Sequence, residues 1–338
     1  MRLQNTLFTL AACAVAAALP ANAALVWTGA NDQISLYREA NWLDDNNAVP
    51  ANNTINANTD VSAATGGLIE ISSGSGSPSN YTGDFITGNG NSLTVANGKT
   101  LASGGRAGLT GSSGTALTVS SGATLRVGAT SGFSNYSFSD ATVDLISLGL
   151  AGGALNSTNT DFTVGSLTVD DGTNGTVESL TVAGGTFSAN TNITLVFTDL
   201  VLDAASASFS GGINGGGIGT VVRLTNGSSW GSTFITNMVE FHIDATSSMS
   251  LSGTGDPINS QTNPSTIHLE IGAQLTLSSF AEFSEHTGEI FVNGVSYAAD
   301  PSILQFNGAT ATAVPESSAP LLTAIACIGW FARRRRKN

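Results

Sequence analysis

Two stretches of this chain, Leu93 to Leu101 and Leu117 to Leu125, share the form Leu-Thr-Val-x-x-Gly-x-Thr-Leu and begin 24 residues apart. Each is an apolar residue alternating with a threonine, a turn that needs glycine, and the same alternation again. Alternation with a period of two is the signature of a strand with one face buried. A strand of three or four residues cannot bury that face alone, so a sequence that repeats such units predicts stacking of one unit on the next.

The theme continues at Leu167-Thr168-Val169 and Leu180-Thr181-Val182, then at 193–197, 201–202, 221–224, 239–243 and 267–271, and closes with Gly272-Ala273-Gln274-Leu275-Thr276-Leu277. Ile290 to Val292, Asn293-Gly294 and Val295 to Tyr297 read as a terminal hairpin, because Asn-Gly suits the tight turn. The expected fold is all-β, a right-handed parallel β-helix over residues 24–313. Leu, Val and Ile point inward, Thr and Ser face water, and Gly and Asn turn the corners. The competing fold is an antiparallel β-sandwich, which needs longer strands and does not need blocks that resemble one another. Residues 44–60, 72–80 and 211–219 read as loops.

The two ends differ from this body. Arg2, an apolar run from Leu7 to Leu19 and the small-x-small site Ala21-Asn22-Ala23 predict a signal peptide over residues 1–23, with Ala24 as the first mature residue. At the other end, over 314–338, come Val314-Pro315-Glu316, an apolar run from Ala319 to Ala332, and Arg333-Arg334-Arg335-Arg336-Lys337. That pattern predicts a single transmembrane helix with a cytoplasmic basic stop. Over residues 24–316, five cations (Arg38, Lys99, Arg106, Arg126, Arg223) face all 24 acids, a net charge of −19. A body this acidic does not seek nucleic acid. Both cysteines, Cys13 and Cys327, lie in the end segments, so the body has neither disulfide nor thiolate chemistry.

The three-part tail resembles the PEP-CTERM sorting signal of Gram-negative bacteria that make exopolysaccharide, with Ser317 standing where that family carries its second proline. The resemblance implies Sec-dependent export and a transient stay in the inner membrane. It also implies recognition by exosortase, a membrane-embedded cysteine protease, and delivery to the cell surface or extracellular matrix. Trp27-Thr28-Gly29 with Asn41-Trp42 resembles the opening of autotransporter-like passengers and of PEP-CTERM surface proteins, and a Trp pair there would cap the first open coil.

Chemistry is sparse. His242 and His268 read as surface or satisfied strand residues. Glu282, Glu285, His286 and Glu289 fall within eight residues and offer oxygens and a nitrogen, but the segment reads as a solvated acidic loop. Asp170-Asp171-Gly172-Thr173-Asn174-Gly175 has the composition of a calcium turn without the ligand spacing of an EF-hand. The acids show no recurrence from block to block that would line a groove, and the five cations are too scattered for a polysaccharide lyase. The expectation is therefore a non-enzymatic structural or adhesive protein without cofactor or metal, sorted to the envelope or exopolysaccharide matrix. The alternative is a glycan-active β-helix lyase or hydrolase.

Overall fold

The computed structural model describes residues 92–102, 108–111, 114–150, 152–169, 178–196, 198–216, 219–258 and 264–316, together with 24–27, 42–43, 48, 68–71 and 85–86. These residues wind into a β-solenoid of about nine turns, with almost no helix. Successive coils pair in parallel, which excludes the antiparallel sandwich. Register partners stand as few as 18 residues apart, at Thr124 and Thr142, and as many as 44, at Ala24 and Leu68.

Each coil has three sides. The first carries Ser92–Val95, Ala116–Val119, Asn135–Ser139, the leading halves of Ala154–Val169 and Glu178–Ala189, and then Thr198–Asp203, Thr220–Thr225, Val239–Ile243, Thr266–Leu269 and Ile290–Val292. The second includes Thr100–Ala102, the start of Thr124–Ser131, Ser206–Phe209, Ser229–Ser232, Ser248–Leu251 and Gln274–Thr276. The third has the shortest strands, among them Leu109–Thr110, Ile193–Leu195, Ile213–Asn214 and Ile235–Thr236. The stretch 211–219, expected to be a loop, thus contains a third-side strand. Its glycines serve close packing there: a Cβ at Gly212 would stand 2.3 Å from the Phe234 ring.

The period-two pattern becomes a set of inward ladders. On the first side Leu117, Tyr136, Leu155, Leu180, Leu200, Val222, Phe241, Ile267 and Ile290 lie in one register column, all buried. On the second side Phe162 stacks on Phe187 with ring centroids 5.1 Å apart and planes 6° from parallel. The aromatic contacts run on through Phe209 and Trp230 to Phe241. Each such pair adds about 0.5–1.5 kcal/mol to the burial of its area.

One corner, between the first and second sides, repeats a left-handed residue in coil after coil. Gly98, Gly122, Asp140, Asn159, Ala204 and Asn226 all have φ between 45° and 68°. Glycine, Asn and Asp tolerate that conformation. Gly185 at the same corner, with φ 72°, also has no room: a Cβ would stand 2.4 Å from the Thr160 carbonyl oxygen.

Both ends of the stack turn antiparallel. Ala24–Trp27 pairs in parallel with Leu68–Ile71 and antiparallel with Trp42–Leu43, so Trp27 lies opposite a fully buried Trp42. At the C-terminal end the hairpin Leu304–Asn307 and Thr310–Ala313 lays its second strand antiparallel against Gln274–Thr276. The expected turn at Asn293-Gly294 joins Ile290–Val292 to Val295–Ser296, and both turn residues have positive φ. A short helix, Phe280–Glu285, takes the place of a third-side strand in the last coil.

Two hydroxyls interrupt the inward ladders without a hydrogen-bond partner. Thr130 lies between Leu109 and Leu148, and Ser157 between Phe138 and Val182; both are 1% exposed. An unsatisfied buried hydroxyl costs about 1–3 kcal/mol. Thr130→Val keeps the shape and removes the hydroxyl. It is expected to raise unfolding stability by about 1 kcal/mol, read as a higher urea midpoint at unchanged slope.

Candidate functional site

Among the described residues, one constellation of polar side chains lies on the outer face of the first side, near the C-terminal end. In strands Thr220–Thr225, Val239–Ile243 and Thr266–Leu269 the alternate residues that do not enter the core face solvent. Register then forms one outward column from Arg223, His242, His268 and Phe291. The ring centroids of His242 and His268 are 4.9 Å apart, as are those of His268 and Phe291, and each pair is 13° from parallel. Both histidines were read as surface or satisfied strand residues; the structure keeps them outward and stacks them.

The neighbouring column supplies carboxylates. Glu240, two residues before His242, shares its face. Its Oε1 lies 2.7 Å from His242 Nε2 and 3.6 Å from His268 Nε2. Arg223 is paired with Asp199 from the preceding coil. Burial, together with the charge of His242, holds the His268 pKa below its ordinary 6.5, and Glu240 opposes them.

On the corner side of the column Asp244 and Glu270 stand in successive coils, and with Asn293 they line a groove of about 330 Å³. Acids do recur from coil to coil, contrary to the reading of the sequence. The reason is register: unequal coil lengths hide the recurrence in the chain. Their oxygens, however, hold the corner turns. Asp244 accepts from Asn226 N at 2.6 Å and from Thr246 N and Oγ1, each at 2.9 Å. Glu270 accepts from Ala245 N at 3.3 Å. Burial acts to raise the Asp244 pKa, but the hydrogen bonds from Ser247, Asn226 and Thr246 outweigh it and hold the carboxyl below its ordinary 3.8.

A second cluster gathers around the buried His286 at the C-terminal end. The segment read as a solvated acidic loop is a helix that turns Glu282 and His286 inward, leaving Glu285 exposed and Glu289 half-buried. The helix periodicity places residues four apart on one face, and the buried Phe283 fixes which face is inward. Asp256, from the preceding coil, joins them. His286 Nε2 is 3.8 Å from Asp256 Oδ1 and 3.9 Å from Glu282 Oε2, and its side chain is 2% exposed. Neither imidazole nitrogen has a hydrogen-bond partner, nor do those two carboxylate oxygens. Glu282 Oε1 is bonded to Gly255 N at 3.1 Å.

Among the described residues no group of three or more His, Cys, Asp or Glu side chains is placed to hold a metal ion. The calcium-like turn at Asp170 to Gly175 lies outside the described residues, as do the expected signal-cleavage residues Ala21 and Ala23 and the basic stop Arg333 to Lys337. Ala24 opens the first described strand. Val314 is tied to the last turn, its N–H donating to Ile303 O at 2.8 Å, and Pro315 and Glu316 are exposed. No family model, curated protein or solved structure matches the chain.

The pKa directions fix the sign of the pH response. Both His268 and Asp244 bind a proton less readily when folded, so each favours the folded state at high pH. The contribution of His268 is fully present above 6.5 and is lost as pH falls from there through its folded value. That of Asp244 is lost only below 3.8. Urea midpoints are expected to fall on acidification in two stages. His268→Gln should flatten the upper stage and Asp244→Asn the lower.

Proposed function

We propose that the chain is an exported structural or adhesive protein of the cell envelope or exopolysaccharide matrix, not an enzyme, and that it is sorted through its C-terminal segment. The observation that carries this reading is the state of the groove carboxylates. A glycoside hydrolase needs one carboxyl held protonated near neutral pH and another free to act as base or nucleophile. Asp244 is driven the opposite way, and its oxygens and one of Glu270 are committed to the corner backbone.

The rest of the outer surface supports the same role. Threonine, serine and asparagine recur among the outward positions of all three sides, as at Thr118, Ser208, Asn214 and Thr236, and offer repeated hydrogen-bonding groups to a polysaccharide. Many weak contacts on a rigid rod add up to avidity. The winding is taken as right-handed, the hand of parallel crossover connections.

In this reading residues 1–23 are a Sec signal peptide removed before Ala24, and residues 314–338 are a PEP-CTERM-like signal that rests in the inner membrane until an exosortase-type protease acts on it. The placement of Val314, Pro315 and Glu316 suits that step. The last strand ends at Ala313, and the motif leaves the rod beside a crevice lined by Ile271, Val292, Val295 and Ile303. No helix among the described residues is long and apolar enough to cross a membrane, and the apolar run from Ala319 lies outside them.

The rival reading, a glycan-active enzyme, draws on the presence of Asp244 and Glu270 in one groove. Intact-mass measurement of envelope and medium fractions separates the outcomes. The expected species begins at Ala24 and ends near Pro315, and replacing Arg333 to Arg336 by alanine should abolish its delivery. A cytoplasmic species that retains Asn338 would overturn the sorting proposal. Cleavage of the host exopolysaccharide that is lost in Glu270→Gln would favour the enzyme.

A further inference from the structure

We propose that the groove beside the stacked His242 and His268 is a binding subsite for a sugar unit that carries no acidic group; the inference rests on the matrix role above and names the ligand class within it.

Register builds the groove. Arg223, His242 and His268 stand in successive coils of one outward column. Asp244 and Glu270 follow the two histidines by two residues and so share their face, and Asn293 follows the next strand at the same corner. These six residues line one concavity of about 330 Å³, at the lower end of the range for small-ligand sites. Outward positions on the second side carry single hydroxyls, as at Ser206, Ser229 and Ser248. Here carboxylate, imidazole, amide and guanidinium groups stand in adjoining coils, about 4.8 Å from one coil to the next.

That mixture suits a sugar, whose hydroxyls both donate and accept. A carboxylate accepts from two neighbouring hydroxyls at once, and N–H groups of imidazole, amide and guanidinium donate in return. Hydrogen bonds to ionised groups are the stronger kind. Capacity remains for them: among the described residues the exposed Glu270 accepts through Oε2, from Ala245 N, which leaves Oε1. The other groups are set before a ligand arrives. Asp244 is fixed by the corner N–H groups of Asn226 and Thr246, and the histidine rings by their stacking and by Glu240. Side chains already held in place lose little entropy on binding.

Charge selects the class of sugar. Arg223 is the one Lys or Arg lining the groove among the described residues, and it is paired with Asp199. Burial and the charge of His242 hold His268 in its neutral form near neutral pH. The charge of Asp244 and Glu270 therefore prevails, and a uronate, phosphate or sulfate group is repelled.

The test is calorimetric titration of the full chain near neutral pH with neutral tetrasaccharides of glucose, galactose and mannose, and with tetragalacturonate. At least one neutral tetrasaccharide is expected to bind with a dissociation constant on the order of a millimolar or lower. Tetragalacturonate should bind at least ~tenfold more weakly. Glu270→Ala and His268→Ala should each weaken the neutral ligand ~tenfold, with an unchanged circular dichroism spectrum. Glu270→Gln, which keeps the shape and one acceptor, should fall between, and Ser208→Ala on the second side should change nothing. The site is overturned if none of the neutral tetrasaccharides binds, or if tetragalacturonate binds as tightly. Undiminished binding by the double variant Glu270→Ala, His268→Ala also overturns it, while leaving the matrix role in place on another face. Failure of the matrix role itself is read separately, as a cytoplasmic chain in the intact-mass measurement.

Discussion

Everything in this molecule depends on the coil-to-coil backbone ladder and on the apolar column that it forces into register. Parallel strands from successive coils share their hydrogen bonds, so a side chain that points inward in one coil lies directly on its counterpart in the next. With no cysteine in the body, nothing covalent corrects an error in that stacking. Burial must hold the register, and the large residues are placed to do so: Phe162 on Phe187 fills two coils at once. A slip of one residue would reverse every inward and outward position. The same ladder leaves an open edge at each end of the stack, which would recruit another chain. The antiparallel returns, Trp42–Leu43 at one end and Thr310–Ala313 at the other, cover those edges with strands that run the wrong way to propagate the coil.

The first two sides of the coil were legible in the sequence because their strands are long enough to show alternation. Leu93 to Leu101 and Leu117 to Leu125 display both sides and the glycine corner between them. The third side was not legible. Ile213–Asn214 and Ile235–Thr236 are too short for any period, and the first is hidden among glycines. The repeat does not keep the 24-residue interval of its first two blocks. The interval varies from coil to coil while the register holds. Tyr136 needs only 19 residues to reach Leu155, whereas Leu155 needs 25 to reach Leu180. A fixed-period search loses such a series, although each inward residue still finds its partner.

The groups that carry chemistry illustrate the same limit. His242 and His268 were visible as outward strand residues, but their contact is set by register across 26 residues. Asp256 gave no signal, because its partner His286 belongs to the next coil. Glu282 and His286 were singled out together, and the error lay in their exposure. A helix that begins with Phe280 and buries Phe283 has to turn Glu282 and His286 somewhere, and the last coil leaves only the interior.

The buried cluster and the outer groove show how one architecture treats charge in opposite ways. On the outside, successive carboxylates are tolerated because water screens them and each is bonded to a corner N–H. Asp244 and Glu270 thereby help to set the turn that places the next strand. At the C-terminal end, the half-buried Asp256 and the buried Glu282 flank His286 at 3.8 Å and 3.9 Å with no hydrogen bond between them. Removing one partner from such a group leaves a buried charge uncompensated, whereas replacing the whole group by apolar residues often costs little. The cluster is therefore weak support for the stability of the closure but a strong constraint on its form. The cluster brings the helix and the preceding loop together around one imidazole. A rod whose core is otherwise apolar ladders thus has a polar lock at the end where the coil stops and the chain departs.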